Sequence, residues 1–198
     1  MWYTVHALVL AKYEIRDREK SYTLLTREYG KITGFYKEPK AWANADIGSL
    51  IEVLIETKLS SNTLKTIQPI TGVSTEFLKY ENVHEYLLII EGLRRQVPDG
   101  AGEWVYEEFM ILFSLNQVKD ELYATHFSHL LFLLKLRLLS HFQGIWWSVI
   151  TDNPLISKLD RLASTHTLNE LLRIQGIPQI AKTQIHTLFL QFFLQWSY

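Results

Sequence analysis

The sequence predicts an α+β protein, with a small β-barrel of five strands followed by an all-helical domain. Five segments rich in β-branched and aromatic residues lie within residues 3–73, and turn residues separate them. From Tyr80 onward, apolar residues instead recur at helical spacing. This change of period predicts a domain boundary after residue 78, so the expected domains are residues 1–78 and 79–198.

The predicted strands are short and are bounded by polar or glycine-containing turns. The turn at Tyr29-Gly30 separates the second strand from the third, and Ser60-Ser61-Asn62 precedes the fifth. Five strands with no helix-length pattern between most of them are typical of a closed or partly closed, OB-like barrel. The predicted strands cover residues 3–10, 21–26, 31–36, 50–56 and 64–73.

The helical domain is divided by proline and glycine residues. The stretch from Pro98 to Gly102 ends the first helix, and Gly176-Ile177-Pro178 separates the last two. The third helix is apolar almost all round, which predicts a central and buried position. Thr167 and Glu170 predict a capping box at the start of a short helix. The predicted helices cover residues 80–97, 103–115, 120–142, 154–162, 168–173 and 180–196.

Composition excludes several classes of protein. Hydrophobic residues make up 47% of the 198 residues, so the chain is not wholly disordered. The absence of cysteine excludes disulfides, cysteine-ligated zinc, iron–sulfur clusters and thiol catalysis. The most apolar run, residues 130–139, falls short of the roughly 20 residues that span a bilayer, and the N-terminus lacks signal-peptide features. We therefore expect a soluble, cytoplasmic protein with no membrane partner.

The sequence contains none of the common catalytic motifs. It has no G-x-S-x-G, H-E-x-x-H, Walker or G-x-G-x-x-G pattern, so we expect a protein that is not an enzyme and needs no cofactor. His126 and His129 share a face of the predicted third helix, but carboxylates at metal-binding spacing do not accompany them. We therefore expect no metal site.

Charge is distributed unevenly along the chain. The formal net charge is −1, but residues 1–80 carry +2 and residues 81–198 carry −3. The segment from Leu10 to Lys40 carries +3, because eight cations outnumber five carboxylates. The cations are Lys12, Arg16, Arg18, Lys20, Arg27, Lys31, Lys37 and Lys40, and the carboxylates are Glu14, Asp17, Glu19, Glu28 and Glu38.

Two interpretations of this segment are open. In the first, its cations contact a phosphate backbone on one face of the barrel, aided by bases that stack on aromatic side chains. In the second, the cations belong to a solvated surface of mixed charge. Arg27 and Lys31 flank the Tyr29-Gly30 turn and are the strongest individual candidates for phosphate contact. The candidate stacking residues are Tyr13, Tyr29, Phe35 and Tyr36.

Two cations, Lys135 and Arg137, interrupt the most apolar helix. Buried cations need partners, so each predicts either a salt bridge to a neighbouring helix or a basic rim that receives the carboxylate of an acidic peptide. The tryptophans of this domain predict either core packing or a binding platform. The carboxylates considered are Glu107, Glu108, Asp120 and Glu121, and the tryptophans are Trp104, Trp146, Trp147 and Trp196.

The order of these elements and two groups of residues resemble the RecO family of bacterial recombination mediators. One group lies in the barrel, and the other is the Leu136-Arg137-Leu138-Leu139 sequence of the apolar helix. Many members carry a four-cysteine zinc site after that helix, so this chain resembles a short member that lacks zinc. The residues of the first group are Leu10, Tyr13, Glu14, Asp17, Leu24, Leu25, Thr26, Glu28, Gly30 and Lys31.

The resemblance implies a non-enzymatic role in DNA repair and recombination. Such proteins bind single- and double-stranded DNA, anneal complementary strands and act with RecR to load recombinase onto strands coated by single-strand-binding protein. The helical domain commonly receives the acidic, apolar tail of that protein, and the setting is the bacterial cytoplasm at the nucleoid. The alternative is a protein-interaction module of the same architecture with little DNA affinity, which the net charge of −1 favours.

Overall fold

The computed structural model describes residues 1–37, 45–57, 61–73, 78–115, 122–141 and 154–194. Five strands close into a barrel in the order β1-β2-β3-β5-β4. Strands β3 and β5 run parallel, and the other neighbours are antiparallel. This closed barrel confirms the predicted fold class. The strands are β1 (Trp2–Arg16), β2 (Glu19–Thr26), β3 (Gly30–Lys37), β4 (Leu50–Thr57) and β5 (Asn62–Thr71).

The interior of the barrel is filled by alternating apolar side chains. Val5, Ala7 and Val9 point inward from β1, and Tyr22 and Leu24 do so from β2. After Val9 the register with β2 shifts by one residue, which marks a β-bulge at the middle of β1. The remaining members of this core are Tyr36, Ala45, Ile51, Val53, Ile55, Leu64 and Ile67.

Two helices pack with the barrel and bury part of its outer face. They are α1 (Tyr80–Gln96) and α2 (Glu103–Leu115). Leu24 faces the barrel interior, so its strand neighbour Leu25 faces outward. Leu25 is nevertheless fully buried, because Gly102 packs against it so closely that a Cβ on Gly102 would lie only 2.8 Å from its side chain. The Tyr86 hydroxyl donates a hydrogen bond of 2.5 Å to the carbonyl of Gly48. The two helices therefore cover an apolar part of the barrel's outer face.

The chain divides into two compact units. The first contains Met1–Glu76 together with Tyr86–Gln117, and the second contains Phe77–Glu85 together with Val118–Tyr198. The expected boundary after residue 78 follows the end of the strands, whereas packing also assigns most of α1 and all of α2 to the barrel unit. Leu25, an outward-facing leucine that packs against Gly102 just before α2, is one physical reason for that assignment.

All the regular elements described in the second unit are helices. Its longest helix is buried along almost all of residues 130–140, as the sequence predicted. The capping box is confirmed, since the Thr167 hydroxyl accepts from the Glu170 amide and the Glu170 carboxylate accepts from the Thr167 amide. None of the described helices is both long and apolar enough to cross a membrane. The helices that follow α2 are α3 (Leu122–His141), α4 (Pro154–Thr165), α5 (Leu168–Leu171) and α6 (Gln179–Leu194).

Candidate nucleic-acid interface

A tight hairpin connects β1 to β2 and carries several of the predicted cations. Arg16 pairs with Glu19, so the turn consists only of Asp17 and Arg18. Arg18 adopts a left-handed backbone conformation with φ of 63°, which is unfavourable for a residue with a Cβ atom. The hairpin therefore holds a strained, exposed arginine at its tip.

A row of outward-facing side chains crosses the three strands next to this hairpin. Tyr13 pairs with Ser21, and Ser21 pairs with Phe35. Their strand neighbours Tyr22 and Tyr36 are buried, so Ser21 and Phe35 face outward. Tyr13 and Phe35 are 51% and 47% exposed and lie about 10 Å apart, two strand spacings, on either side of the small serine. We call these three residues the aromatic row.

Cations border the aromatic row on the hairpin side. Arg16 and Lys37 both pair with Glu19, and they occupy the next outward-facing positions. Arg16, Arg18 and Lys20 line a shallow cavity of about 370 Å³ together with three other hairpin residues. The other three are Glu14, Ile15 and Asp17. Cations and carboxylates alternate here, so the surplus of positive charge is local and small.

Two further predicted cations have polar partners within the first unit. The Lys12 ammonium donates to the carbonyl of Ala45 at 3.3 Å. The Arg27 guanidinium forms an ion pair of 2.8 Å with Glu107 of α2. Because Arg27 is 68% exposed, this pair contributes little to stability and leaves its guanidinium open to solvent. Lys40 lies outside the described residues.

Lys31 has a structural position that the sequence did not reveal. Its side chain is only 12% exposed, and its ammonium lies 3.4 Å from the Asp99 carboxylate. The ammonium also donates to the carbonyl of Arg94 at 3.1 Å. The backbone of Lys31 exchanges hydrogen bonds of 2.8 Å with Gly100 and Ala101. Lys31 therefore ties β3 to the segment after α1, and its ammonium is turned away from the solvent that a phosphate would occupy.

The candidate stacking residues divide into exposed and buried ones. Tyr13 and Phe35 belong to the aromatic row, whereas Tyr36 lies in the barrel core and packs edge-on against Tyr22 at 6.2 Å. Stacking of a base on Tyr36 is therefore excluded by burial. Tyr29 is partly buried and contacts Tyr3 at a centroid distance of 6.5 Å, which makes it part of the barrel end.

Lys135 is buried in the second unit, where it forms a salt bridge. Its ammonium lies 2.7 Å from the Glu85 carboxylate and 3.0 Å from Nδ1 of His186. Its side chain is 3% exposed, so it cannot form a surface rim for a peptide. The salt bridge was expected, but its partner is Glu85 of α1, which was not among the carboxylates considered. Burial lowers the pKa of Lys135, and Glu85 partly offsets this effect.

Arg137 binds backbone carbonyls near the end of α4. Its guanidinium donates to the carbonyl of Ala163 and, at 2.7 Å, to that of His166. The C-terminal carbonyls of a helix lack intrahelical donors and attract cations. Arg137 therefore stabilises the end of α4, a contact that the sequence did not predict.

The second unit contains a groove of about 670 Å³ that the sequence did not indicate. Two lysines, Lys79 and Lys182, line it together with polar and apolar side chains. These residues are far apart along the chain, so no local motif identifies them. The other lining residues are Asn82, Ser128, His129, Leu172, Ile174, Gln175, Gly176 and Ile177.

The remaining predicted features lie partly outside the described structure. The ring of His129 stacks near Phe132 at 6.4 Å, and the side chain of His126 is outside the described part. Trp104 is half-buried in α2. Within the described ranges, no group of three or more histidines and carboxylates could hold a metal ion. The other tryptophans, Trp146, Trp147 and Trp196, are outside those ranges.

Comparison with known proteins gives no match to a family model or to a curated protein sequence. The functional assignment therefore depends on the chemistry of the surfaces described above.

Proposed function

We propose that this chain binds DNA through the outer face of β1, β2 and β3. In this proposal it holds single strands, contacts double strands through phosphates, anneals complementary strands and assists recombinase loading during bacterial recombinational repair. The aromatic row carries the proposal, because it leaves the rings of Tyr13 and Phe35 about half exposed on the outer face of the sheet. No covalent bond is made or broken in this role.

The aromatic row suits an unpaired strand better than a duplex. Every base has a π-face, so exposed tyrosine and phenylalanine rings bind single strands with little dependence on sequence. Ser21 lies between the two rings and leaves space above the sheet for a backbone or a base. OB-like barrels commonly bind oligonucleotides on this face and with the loop between their first two strands, which is here the Asp17-Arg18 turn.

The bordering cations supply phosphate contacts at short range. Arg16, Arg18, Lys20 and Lys37 cluster at the hairpin end, although three carboxylates lie among them. Double-stranded DNA would be held mainly by these contacts, since its bases are not available for stacking. We therefore expect duplex binding to be weaker than single-strand binding and more sensitive to salt.

The proposed partners follow from a RecO-type role. They are a RecR-like mediator, the acidic tail of single-strand-binding protein and, indirectly, the recombinase. The groove of the second unit suits an acidic, apolar tail, because Lys79 and Lys182 complement its charge while Leu172, Ile174 and Ile177 offer apolar contact. The proposed location is the bacterial cytoplasm at the nucleoid.

The same groove supports a second candidate function, a protein-interaction module with little DNA affinity. In that case peptide binding is the main activity, and the mixed charges around the hairpin are a solvated surface. The net charge of −1 favours this alternative, because repulsion of phosphate over the rest of the chain opposes long-range attraction.

Fluorescence-anisotropy titrations separate the two functions. The whole chain is titrated into labelled oligothymidylate between 50 and 200 mM salt, and separately into a labelled acidic peptide that ends in apolar residues. Micromolar DNA binding that weakens steeply with salt supports the first function. Peptide binding without DNA binding at low salt supports the second and overturns the first.

The hairpin cations are tested in the same titration by neutralising two of them. Arg16→Gln with Lys37→Gln should lower DNA affinity, since each lost phosphate contact reduces the salt slope by about 0.7 on a single strand. The matched control is Lys158→Gln with Arg161→Gln, which removes the same charge from the exposed surface of α4. Equal effects of the two double variants would remove the hairpin from the binding face.

A further inference from the structure

Two arginines in the last turn of α1 lie in the barrel unit and were not predicted to bind a ligand. Arg94 donates to both carboxylate oxygens of Glu91, at 2.7 and 2.6 Å, and Arg95 donates to one of them at 2.6 Å. One carboxylate thus orients two guanidinium groups, and the cluster retains a net charge of +1. Each side chain remains about one-third exposed, at 30% and 33%.

This cluster is fixed relative to the aromatic row through the barrel. The Arg94 carbonyl accepts a hydrogen bond from Lys31, which lies on the same outward-facing side of β3 as Phe35. Lys31 precedes Phe35 by four positions, a distance of roughly 13 Å along an extended strand. The last turn of α1 therefore lies beyond the aromatic row on the side opposite the hairpin.

Glu91 and Arg94 also shift each other's pKa. The pKa of Arg94 is raised above its usual value, mainly by its hydrogen bonds to Glu91 and to a smaller extent by the Tyr13 side chain. The pKa of Glu91 is lowered by the same pair of arginines, mainly Arg94. Each of these two groups thus favours the charged form of the other.

We infer that Arg94 and Arg95 form a second cationic border, so that a single nucleic-acid strand on the aromatic row is held between α1 and the β1–β2 hairpin. The inference rests on the proposed DNA-binding function and adds a phosphate contact site to it. Guanidinium groups bind phosphate through paired N–H donors, and a strand whose bases stack on Tyr13 and Phe35 has phosphates on both sides of the row. Glu91 orients the two arginines and also limits their affinity for phosphate.

The test uses two variants of the whole chain with opposite expected effects on single-strand affinity. Arg94→Gln with Arg95→Gln removes two contacts, which should lower affinity about 25-fold at 0.1 M salt and reduce the salt slope by about 1.4. The tether to Lys31 uses the backbone carbonyl of Arg94 and remains. Glu91→Gln removes the competing charge and should raise affinity about fivefold.

Lys158→Gln with Arg161→Gln again controls for the loss of two charges, and thermal unfolding controls for folding. An unchanged affinity of the double arginine variant, or a fall in affinity for Glu91→Gln, overturns the inference. If these variants have no effect while Arg16→Gln with Lys37→Gln weakens binding, the inference fails and the proposed function stands. If the wild-type chain binds no oligothymidylate at low salt, both fail.

Discussion

The ammonium group of Lys31 lies 3.1 Å from the carbonyl oxygen of Arg94, which joins strand β3 to the last turn of helix α1. This contact and the neighbouring Asp99 carboxylate make Lys31 part of the barrel's connection to its helical cover. The outward-facing cations nearer the hairpin, Arg16 and Lys37, have no such structural position in the described residues. Cations that are close in sequence thus have different roles.

Lys31→Glu should destabilise the barrel unit. The new carboxylate would face the Arg94 carbonyl and Asp99, so a hydrogen bond from a charged donor would be replaced by repulsion at a mostly buried position. We expect a loss of about 2 kcal/mol or more in the free energy of unfolding. Lys37→Glu makes the same change at an exposed position and should stay within about 0.5 kcal/mol. Denaturant unfolding measures both, and equal losses would contradict the structural role of Lys31.

Arg18→Gly should stabilise the hairpin while weakening DNA binding. Glycine adopts the left-handed conformation at residue 18 without the Cβ penalty, so the free energy of unfolding should rise by up to about 1 kcal/mol. The loss of a guanidinium at the hairpin tip should lower affinity for oligothymidylate. Arg18→Asn is the matched variant: it removes the same charge but keeps a Cβ atom, on a side chain that tolerates the left-handed conformation. Comparing the two variants separates the loss of charge from the change in backbone strain. Higher stability with unchanged affinity would mean that Arg18 does not contact DNA.

The Glu85–Lys135 ion pair should respond unequally to removal of its two members. Glu85→Ala leaves a buried ammonium without its carboxylate, which costs about 3–5 kcal/mol. Lys135→Met leaves a carboxylate that is one-third exposed and can be hydrated, so this variant should be neutral or more stable than the wild type. Thermal and denaturant unfolding compare the variants. Similar losses for both would show that the buried lysine contributes net stability.

Mild acid should destabilise the second unit through His186. Burial and then the Lys135 ammonium lower the pKa of His186 from 6.5, with Glu85 acting in the opposite sense and His84 in the same one. The unfolded chain therefore takes up the proton first as the pH falls below 6.5, and stability decreases before carboxylates titrate near pH 4. His186→Gln should reduce this dependence. An unaltered pH profile for His186→Gln would exclude the histidine as its cause.

Much of the barrel could be predicted because its strands have strong local signals. A turn before Gly30 separates β2 from β3 where glycine predicts it, and β5 begins at Asn62, beside the predicted polar turn. The first strand continues to Arg16, six residues beyond the prediction, because cross-strand pairing with β2 extends through its charged half. Charged and apolar residues alternate over residues 12–16, but none of these residues belongs to the barrel core, so pairing with β2 decides where the strand ends.

The roles of individual cations could not be predicted, because they depend on tertiary packing. Lys31 and Arg27 both flank the same turn, yet Lys31 is mostly buried against α1 and Arg27 is mostly exposed. Lys135 finds Glu85, a residue 50 positions earlier in the chain. The local capping box at Thr167 was predictable for the opposite reason, since both partners lie within one helical turn.

The measurement that tests the central claim most directly is oligothymidylate affinity after removal of the aromatic row. Tyr13→Ala with Phe35→Ala should reduce the binding free energy by about 1–3 kcal/mol for each stacked base and leave the salt slope nearly unchanged, because no phosphate contact is lost. Tyr80→Ala, at an exposed tyrosine of the second unit, should have no effect. If the folded double variant binds as tightly as the wild type and the Tyr80→Ala control, this face of the barrel does not bind DNA.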